Sequence, residues 1–424
     1  MNRDTKSPAA RAPNRAYVMF ILVVVYTFNF IDRQIVGILA IPIKADLKLT
    51  DTELGLMGGL AFALFYTGLG IPVAMLADRW NRTWIMTAAL TIWSAMTAVC
   101  GLATNFWQLF LARLGVGVGE AGGVAPAYSL ISDYFPSNQR ARALSVYSFG
   151  IPIGSALGIL FGGYIASKID WRYAFFAVGI AGILVAPIFK LTVAEPPRGQ
   201  YDDRKSDTPS PSLKVIVQKL MQKPSFWLIS LGASASSMMG YGLFFWLPSF
   251  FVRSFGLELF DASLVFGSIL LIGGIAGTWA GGYMADRFGA GKRANYVVIP
   301  AIAFLGTIPL YAMAILSPNL TTTFFALLIP TGLGLAWLGP VLSAIQHVVP
   351  PNMRATASAI FLFINNLIGI GAGTFAIGLI SDNLVVRFGD DALRYAILTG
   401  TGFYLIAAIL FLASAKRLAN DWEE

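Results

Sequence analysis

Apolar stretches of 20 or more residues recur along almost the whole of this chain, each long enough to cross a hydrocarbon core of about 30 Å. A soluble core cannot hide so many. Charged residues make up 12% of the 424, against about 25% in soluble domains. Mean hydropathy is +0.69. The chain therefore reads as an all-α, multi-pass membrane protein, because helices satisfy their own backbone hydrogen bonds within lipid. The single cysteine, Cys100, excludes an intramolecular disulfide and reads as a small packed residue.

Polar punctuation divides the chain into twelve expected spans: 16–43, 52–76, 84–103, 106–132, 141–167 and 172–192, then 225–252, 262–285, 294–316, 321–347, 355–381 and 392–415. This makes two six-helix bundles, 16–192 and 225–415, between tails at 1–15 and 416–424 and joined by a linker at 193–224. Within the linker, "EPPRGQYDDRKSDTPSPS" has the composition of a solvated segment. The following "LKVIVQKLMQK" at 213–223 alternates apolar and basic residues, as a short interfacial helix would. No small-residue cleavage site follows the first apolar run, so a retained first helix is expected.

Orientation follows from the bases. With the N-terminus inside, inner segments hold 21 Lys and Arg and outer segments hold seven, which satisfies the positive-inside rule with both termini cytoplasmic. The net charge of +8 thus belongs to topology, and no nucleic-acid partner is expected.

The halves repeat one another. "AMLADRWNR" at 74–82 returns as "GYMADRFGA" at 282–290, "FPSNQRARALS" at 135–145 as "VPPNMRATASA" at 349–359, and "WRYAFF" at 171 as "LRYAIL" at 393. Three matches in unbroken order indicate a six-plus-six internal repeat, an architecture suited to alternating access around a central site.

The layout and the loop carrying Asp78, Arg79 and Arg82 resemble the major facilitator superfamily, although Ala74 and Asn81 stand where that signature has glycine. The second copy keeps Gly282, Asp286, Arg287 and Gly289, and Arg113 with "GVGVGE" resembles a further motif of the superfamily. "NFIDRQIVGILAIPIKADL", "GVGEAGGVAPAYSLISDYFP" and "YSFGIPIGSALG" are most similar to the spinster-like branch. The resemblance implies a twelve-helix major facilitator fold in a bacterial inner membrane, and the expected function is that of a monomeric, proton-coupled secondary transporter of a lysolipid, sphingoid-like lipid or hydrophobic drug. Neighbouring branches that carry organic anions or sugar acids also have Asp-Arg on their first helix, and remain the alternative.

Only Asp32, Arg33, Arg113 and Glu120 are charged deep within the spans, where an ionisable group is costly and usually marks an ion or substrate pathway. Arg113 and Glu120 are seven residues apart, two turns along one helix face. Asp32 and Arg33 are about 100° apart, so one of them is expected to reach the fourth span. A static ion-pair clamp is the structural alternative. A carboxylate whose hydration and arginine contacts change with conformation can instead couple transport to protons. Asp32 is the first candidate to carry the proton, with Glu120 as competitor or relay. Arg113 would restrain them, and either arginine could hold an anionic headgroup.

The C-terminal half lacks such charges. Met238, Tyr241, Phe245, Trp246 and Trp337 are expected to offer an apolar cavity wall, although singly each is more often packing. Gly150, Gly154, Gly158 and Gly162 form a stripe that permits close helix approach. Asp78, Arg79, Arg82, Asp286 and Arg287 lie at inner helix ends and are expected to gate. Asn365 and Asn366 either bond across helices or line the cavity, Asp133 reads as a helix-terminal residue, and His347 as incidental. No metal or cofactor is expected: HExxH, paired Cys/His and nucleotide-loop motifs are all missing from the sequence, which also disfavours an enzyme.

Overall fold

A computed structural model describes residues 14–77, 79–199, 201, 212–289, 293–335, 337–350 and 353–423. Within these, the side chains of 137, 138, 140–142, 145, 278–289 and 355 lie outside the description. Among the described residues there is no strand, and the helices resolve into twelve long units. In the first half these are α1 (Arg15–Ile38, continued by Ala40–Leu47), α2 (Asp51–Gly55, a π turn Leu56–Leu60, then Ala61–Ala77) and α3 (Arg82–Cys100). They are followed by α4 (Phe106–Glu120, then Val124–Tyr134), α5 (Ser137–Ser148, then Gly150–Lys168) and α6 (Trp171–Thr192). In the second half they are α7 (Pro224–Phe255), α8 (Leu259–Gly289), α9 (Asn295–Leu316), α10 (Leu320–Leu335, then Leu338–Gln346), α11 (Arg354–Phe388) and α12 (Ala392–Gly400, then Gly402–Asp421). A short helix, Leu213–Met221, precedes α7.

Among the described residues, ten stretches are long and apolar enough to cross a membrane by length and composition; Thr356–Asp421 contains both α11 and α12, and α4 is divided by its break at 121–123.

The helix ends follow local chemistry. The side chains of Asn14, Asn81, Asn105 and Asp170 accept from first-turn amides of α1, α3, α4 and α6. Pro224 opens α7, and Gly256, at φ 65°, closes it.

Packing repeats between halves. The contacts of α1 with α5, α2 with α4 and α3 with α6 recur as α7 with α11, α8 with α10 and α9 with α12. Within the first half, Cβ atoms built at Gly154 and Gly158 would lie 2.4 Å from the Thr27 carbonyl and 2.8 Å from that of Ile31, so glycine lets α5 approach the α1 backbone. Gly150 and Gly162 press likewise on Tyr26 and on Ile35 and Ile38.

Candidate functional site: two crossed ion pairs beside a cavity

Asp32, Arg33, Arg113 and Glu120, all buried but the half-buried Arg33, form two pairs between α1 and α4, and the pairs cross. Asp32 Oδ2 accepts from Arg113 Nη1 at 2.8 Å, while Arg33 Nε donates to Glu120 Oε2 at 2.8 Å. Asp32, Arg113 and Glu120 are each at most 1% exposed. One of Asp32 and Arg33 was expected to reach α4; both do, because the long arginine side chain spans the angle between them. Arg33 lies against the rings of Phe30, Phe62 and Tyr66, at 5.0, 4.9 and 4.5 Å, which stabilises a cation held away from water. Arg33 Nη2 and Glu120 Oε1 are buried without a hydrogen-bond partner. On α3, Thr97 donates its hydroxyl hydrogen to Asp32 Oδ1.

A cavity of about 60 Å³ opens beside Arg33 and Arg113, with Phe30, Phe62, Tyr241 and Phe245 in its wall. Room for a few waters is all it offers in this conformation. Trp246 lies behind that wall, fully buried, its indole N–H donating to the Thr374 carbonyl at 2.9 Å. Trp337 is buried near Phe361, with ring centroids 6.5 Å apart, and Met238 packs its backbone against Gly373. Neither lines this cavity. Asn365 accepts from Ser237 at 2.9 Å and so ties α11 to α7.

At the end of the bundle where the linker runs, Arg82 is buried and fully engaged. It donates to Asp133, to Ser129, to Glu195 at 2.6 Å and to the Pro196 carbonyl at 3.2 Å. Gly199 N donates to Asp133 at 2.9 Å, and Arg198 donates to the carbonyls of Ala77 and Trp80 at 2.7 and 2.6 Å. Residues 194–199 thus strap the α2–α3 loop. Arg79 is exposed in that loop. Asp78 lies outside the described residues, as do the side chains of Asp286 and Arg287, whose backbone belongs to α8. His347 stacks on Trp422 at 4.4 Å, and Glu423 bridges to Lys219 and Lys223 at 2.9 and 3.1 Å.

At the opposite, distal end sits a cluster the sequence reading missed. Asp51, 1% exposed, accepts from Lys44 at 2.6 Å, from both Nη atoms of Arg253 at 2.6 and 2.7 Å, and from Ser381 at 2.8 Å. Asp382 in turn accepts from the backbone amides of Asp51 and Thr52 at 3.1 and 2.7 Å. The start of α2 is therefore held by α7 and α11 of the other half. Other close contacts between halves lie toward the same end: Gly37 against Phe245, Gly59 against Thr374 and Gly163 against Ser263. The sequence signal was a charge at every helix end involved, which reads equally well as topology.

A family model described as Major Facilitator Superfamily matches residues 22–374. The chain is 32% identical to an MFS-type efflux pump of Mycolicibacterium smegmatis, over 99% of this chain and 97% of that protein. It is 30% identical to protein spinster homolog 1 of Homo sapiens, over 88% and 74% of the respective chains. Among solved structures, a bacterial homologue of the human lysosomal transporter Spinster, inward-facing and unoccupied, matches with a TM-score of 0.89 and 33% identity, covering 97% of this chain and 98% of that one.

Proposed function

This chain belongs to the major facilitator superfamily, whose fold is that of transporters rather than enzymes, and from that premise we propose that it couples proton movement to transport of an amphiphile by alternating access. The observation that carries this reading is the crossed pairing of two carboxylates and two arginines beside the cavity. A buried ion pair exists only while both members stay charged, and removing one charge leaves its partner uncompensated in low dielectric. Protonation of Asp32 frees Arg113, and protonation of Glu120 frees Arg33. Each gives a cation that can take an anionic headgroup in exchange for the lost carboxylate. Proton and substrate are thereby linked at one site.

The charged α1–α4 side against the Tyr241 and Phe245 side favours a substrate with a polar head and an apolar body. A lysolipid, sphingoid-like lipid or hydrophobic drug fits, and the similarity to spinster proteins and to an efflux pump agrees. In this assignment the linker end is cytoplasmic, the membrane is the bacterial inner membrane, the working unit is a monomer and the conformation is inward-facing. The loop carrying Asp78, Arg79 and Arg82 gates, together with Asp286 and Arg287.

Purified protein in liposomes with an imposed pH gradient tests the proposal, with a lysophospholipid, an amphiphilic cation and a small carboxylate offered side by side. Uphill accumulation of an amphiphile is expected. Asp32→Asn should reduce it about tenfold or more while substrate exchange at equal pH persists. Preference for the small carboxylate would transfer the assignment to an organic-anion transporter, and undiminished uphill transport by Asp32→Asn would remove Asp32 as the coupling acid.

A further inference from the structure

The geometry points to Thr97 as the residue that lets Asp32 exist in both protonation states without moving: its hydroxyl donates to the carboxylate and accepts from the carboxylic acid. This rests on the reading of Asp32 as the coupling acid.

Thr97 is 1% exposed on α3. Its Oγ1 reaches Asp32 Oδ1 and also lies 2.9 Å from the carbonyl oxygen of Trp93, one turn back on the same helix. A hydroxyl has one hydrogen and two lone pairs, so it can donate to only one of these acceptors at a time. With Asp32 ionised, the hydrogen serves Oδ1. The Trp93 carbonyl loses nothing, since it already accepts a backbone bond within α3.

When cavity water delivers a proton, a new O–H bond forms on the carboxylate. Oδ2 faces the Arg113 guanidinium, which has donors only, so the proton is best placed on Oδ1. Thr97 then turns its hydrogen to the Trp93 carbonyl and offers a lone pair to the new O–H. One proton is taken up, Thr97 exchanges its donated bond to Oδ1 for one to the Trp93 carbonyl and accepts one from the new acid, and neither Thr97 nor Asp32 has to move while the neutral acid loosens its hold on Arg113. The frame for this rotation is rigid: a Cβ at Gly119 of α4 would come within 2.5 Å of Trp93 N, so α3 and α4 are locked at that level. The other ionisable groups facing this corner are Arg113 and Glu120 of α4 and, one turn along α3 from Thr97, the buried Cys100. Arg113 has no acceptor to offer the Asp32 O–H, Glu120 is engaged by Arg33 and sulfur is a weak acceptor, so the Thr97 hydroxyl is the group that accepts the hydrogen bond. Thr97 is thus a positioning residue, acting through Asp32.

Infrared difference spectra between acid and alkaline pH, recorded on the full chain in lipid, test this. A protonated-carboxyl band is expected in the wild type and its loss in Asp32→Asn. In Thr97→Val the band should move to higher frequency, as an unbonded acid does, and proton-driven uptake should fall about tenfold. Thr97→Ser should restore both, and Thr97→Ala provides the same test should the valine variant fail to fold. An unmoved band in Thr97→Val, or a serine variant that behaves like valine, overturns the role of Thr97. A carboxyl signal left undiminished by Asp32→Asn overturns the assignment of Asp32 and, with it, this one, whereas a residual band from Glu120 does not bear on Thr97.

Discussion

Each carboxylate in the centre of the bundle depends on one arginine, and that dependence is asymmetric in energy. Forming a buried pair gains little over a pair of apolar residues, but breaking one by removing a single partner leaves a bare charge and costs about 3–5 kcal/mol. Arg113→Met is therefore expected to destabilise the protein by about that amount, because Asp32 keeps its charge with only the Thr97 hydroxyl beside it. Adding Asp32→Asn should recover most of the loss yet leave uphill transport absent. Thermal unfolding in detergent, read alongside liposome uptake, separates the two effects. Equal unfolding temperatures for the single and double variants would mean that the pair is not an energetic unit. These four charges were legible because nothing else charged lies in so apolar a background. Their crossed pairing was not, since counting depth along a helix says nothing about helix rotation or how far an arginine bends. Asp51 escaped notice for the opposite reason: at a helix end a charge is ordinary.

Among the elements, α2 combines legible and hidden features. Thr50 and Glu53 form a capping box that the sequence spells out, whereas the second acceptor for the first-turn amides, Asp382, comes from α11 and 330 residues away. The following π turn widens the helix where Gly59 meets Thr374, whose hydroxyl donates to the Gly55 carbonyl at 2.8 Å. Apolar length is enough to mark ten stretches among the described residues as long enough to cross a membrane. It did not mark the break in α4 at 121–123, because glycine within lipid-length helices is common and its effect depends on neighbours. The short helix before α7 makes a prediction of its own. Glu423 is partly desolvated, which raises its pKa, but hydrogen bonds and attraction from Lys219 and Lys223 outweigh this and hold the carboxyl below the usual range. A lowered folded-state pKa adds stability above the unfolded value, about 4.3, and that stability is lost as pH falls through the folded value. Glu423→Gln should therefore raise deuterium uptake over 213–223 relative to wild type at neutral pH. The difference should vanish in acid below the ordinary carboxylate range. A difference that persists there would assign the docking to Trp422 stacking instead of charge.

For the whole molecule, the proposed alternating access would require the distal end to open while the linker end closes, and the distal cluster would oppose that motion. Asp51 belongs to the first half and Arg253 and Ser381 to the second, so rocking the halves apart there must break at least three charge-assisted bonds. Water and Lys44, which stays with the first half, compensate in part, leaving a differential of about 2 kcal/mol, or roughly thirtyfold in population. Asp51→Asn keeps the shape and removes the charge. Spin labels at Lys48→Cys and Glu258→Cys, both exposed and on opposite halves, report the opening, and buried Cys100 needs no replacement. In the otherwise unmodified sequence a single short distance is expected. With Asp51→Asn a longer distance should appear, because the two conformations are then closer in energy. The uptake rate need not rise, since a latch that opens too readily also returns slowly. An unchanged distance distribution would assign distal closure to the apolar contacts at Gly37, Gly59 and Gly163 rather than to Asp51.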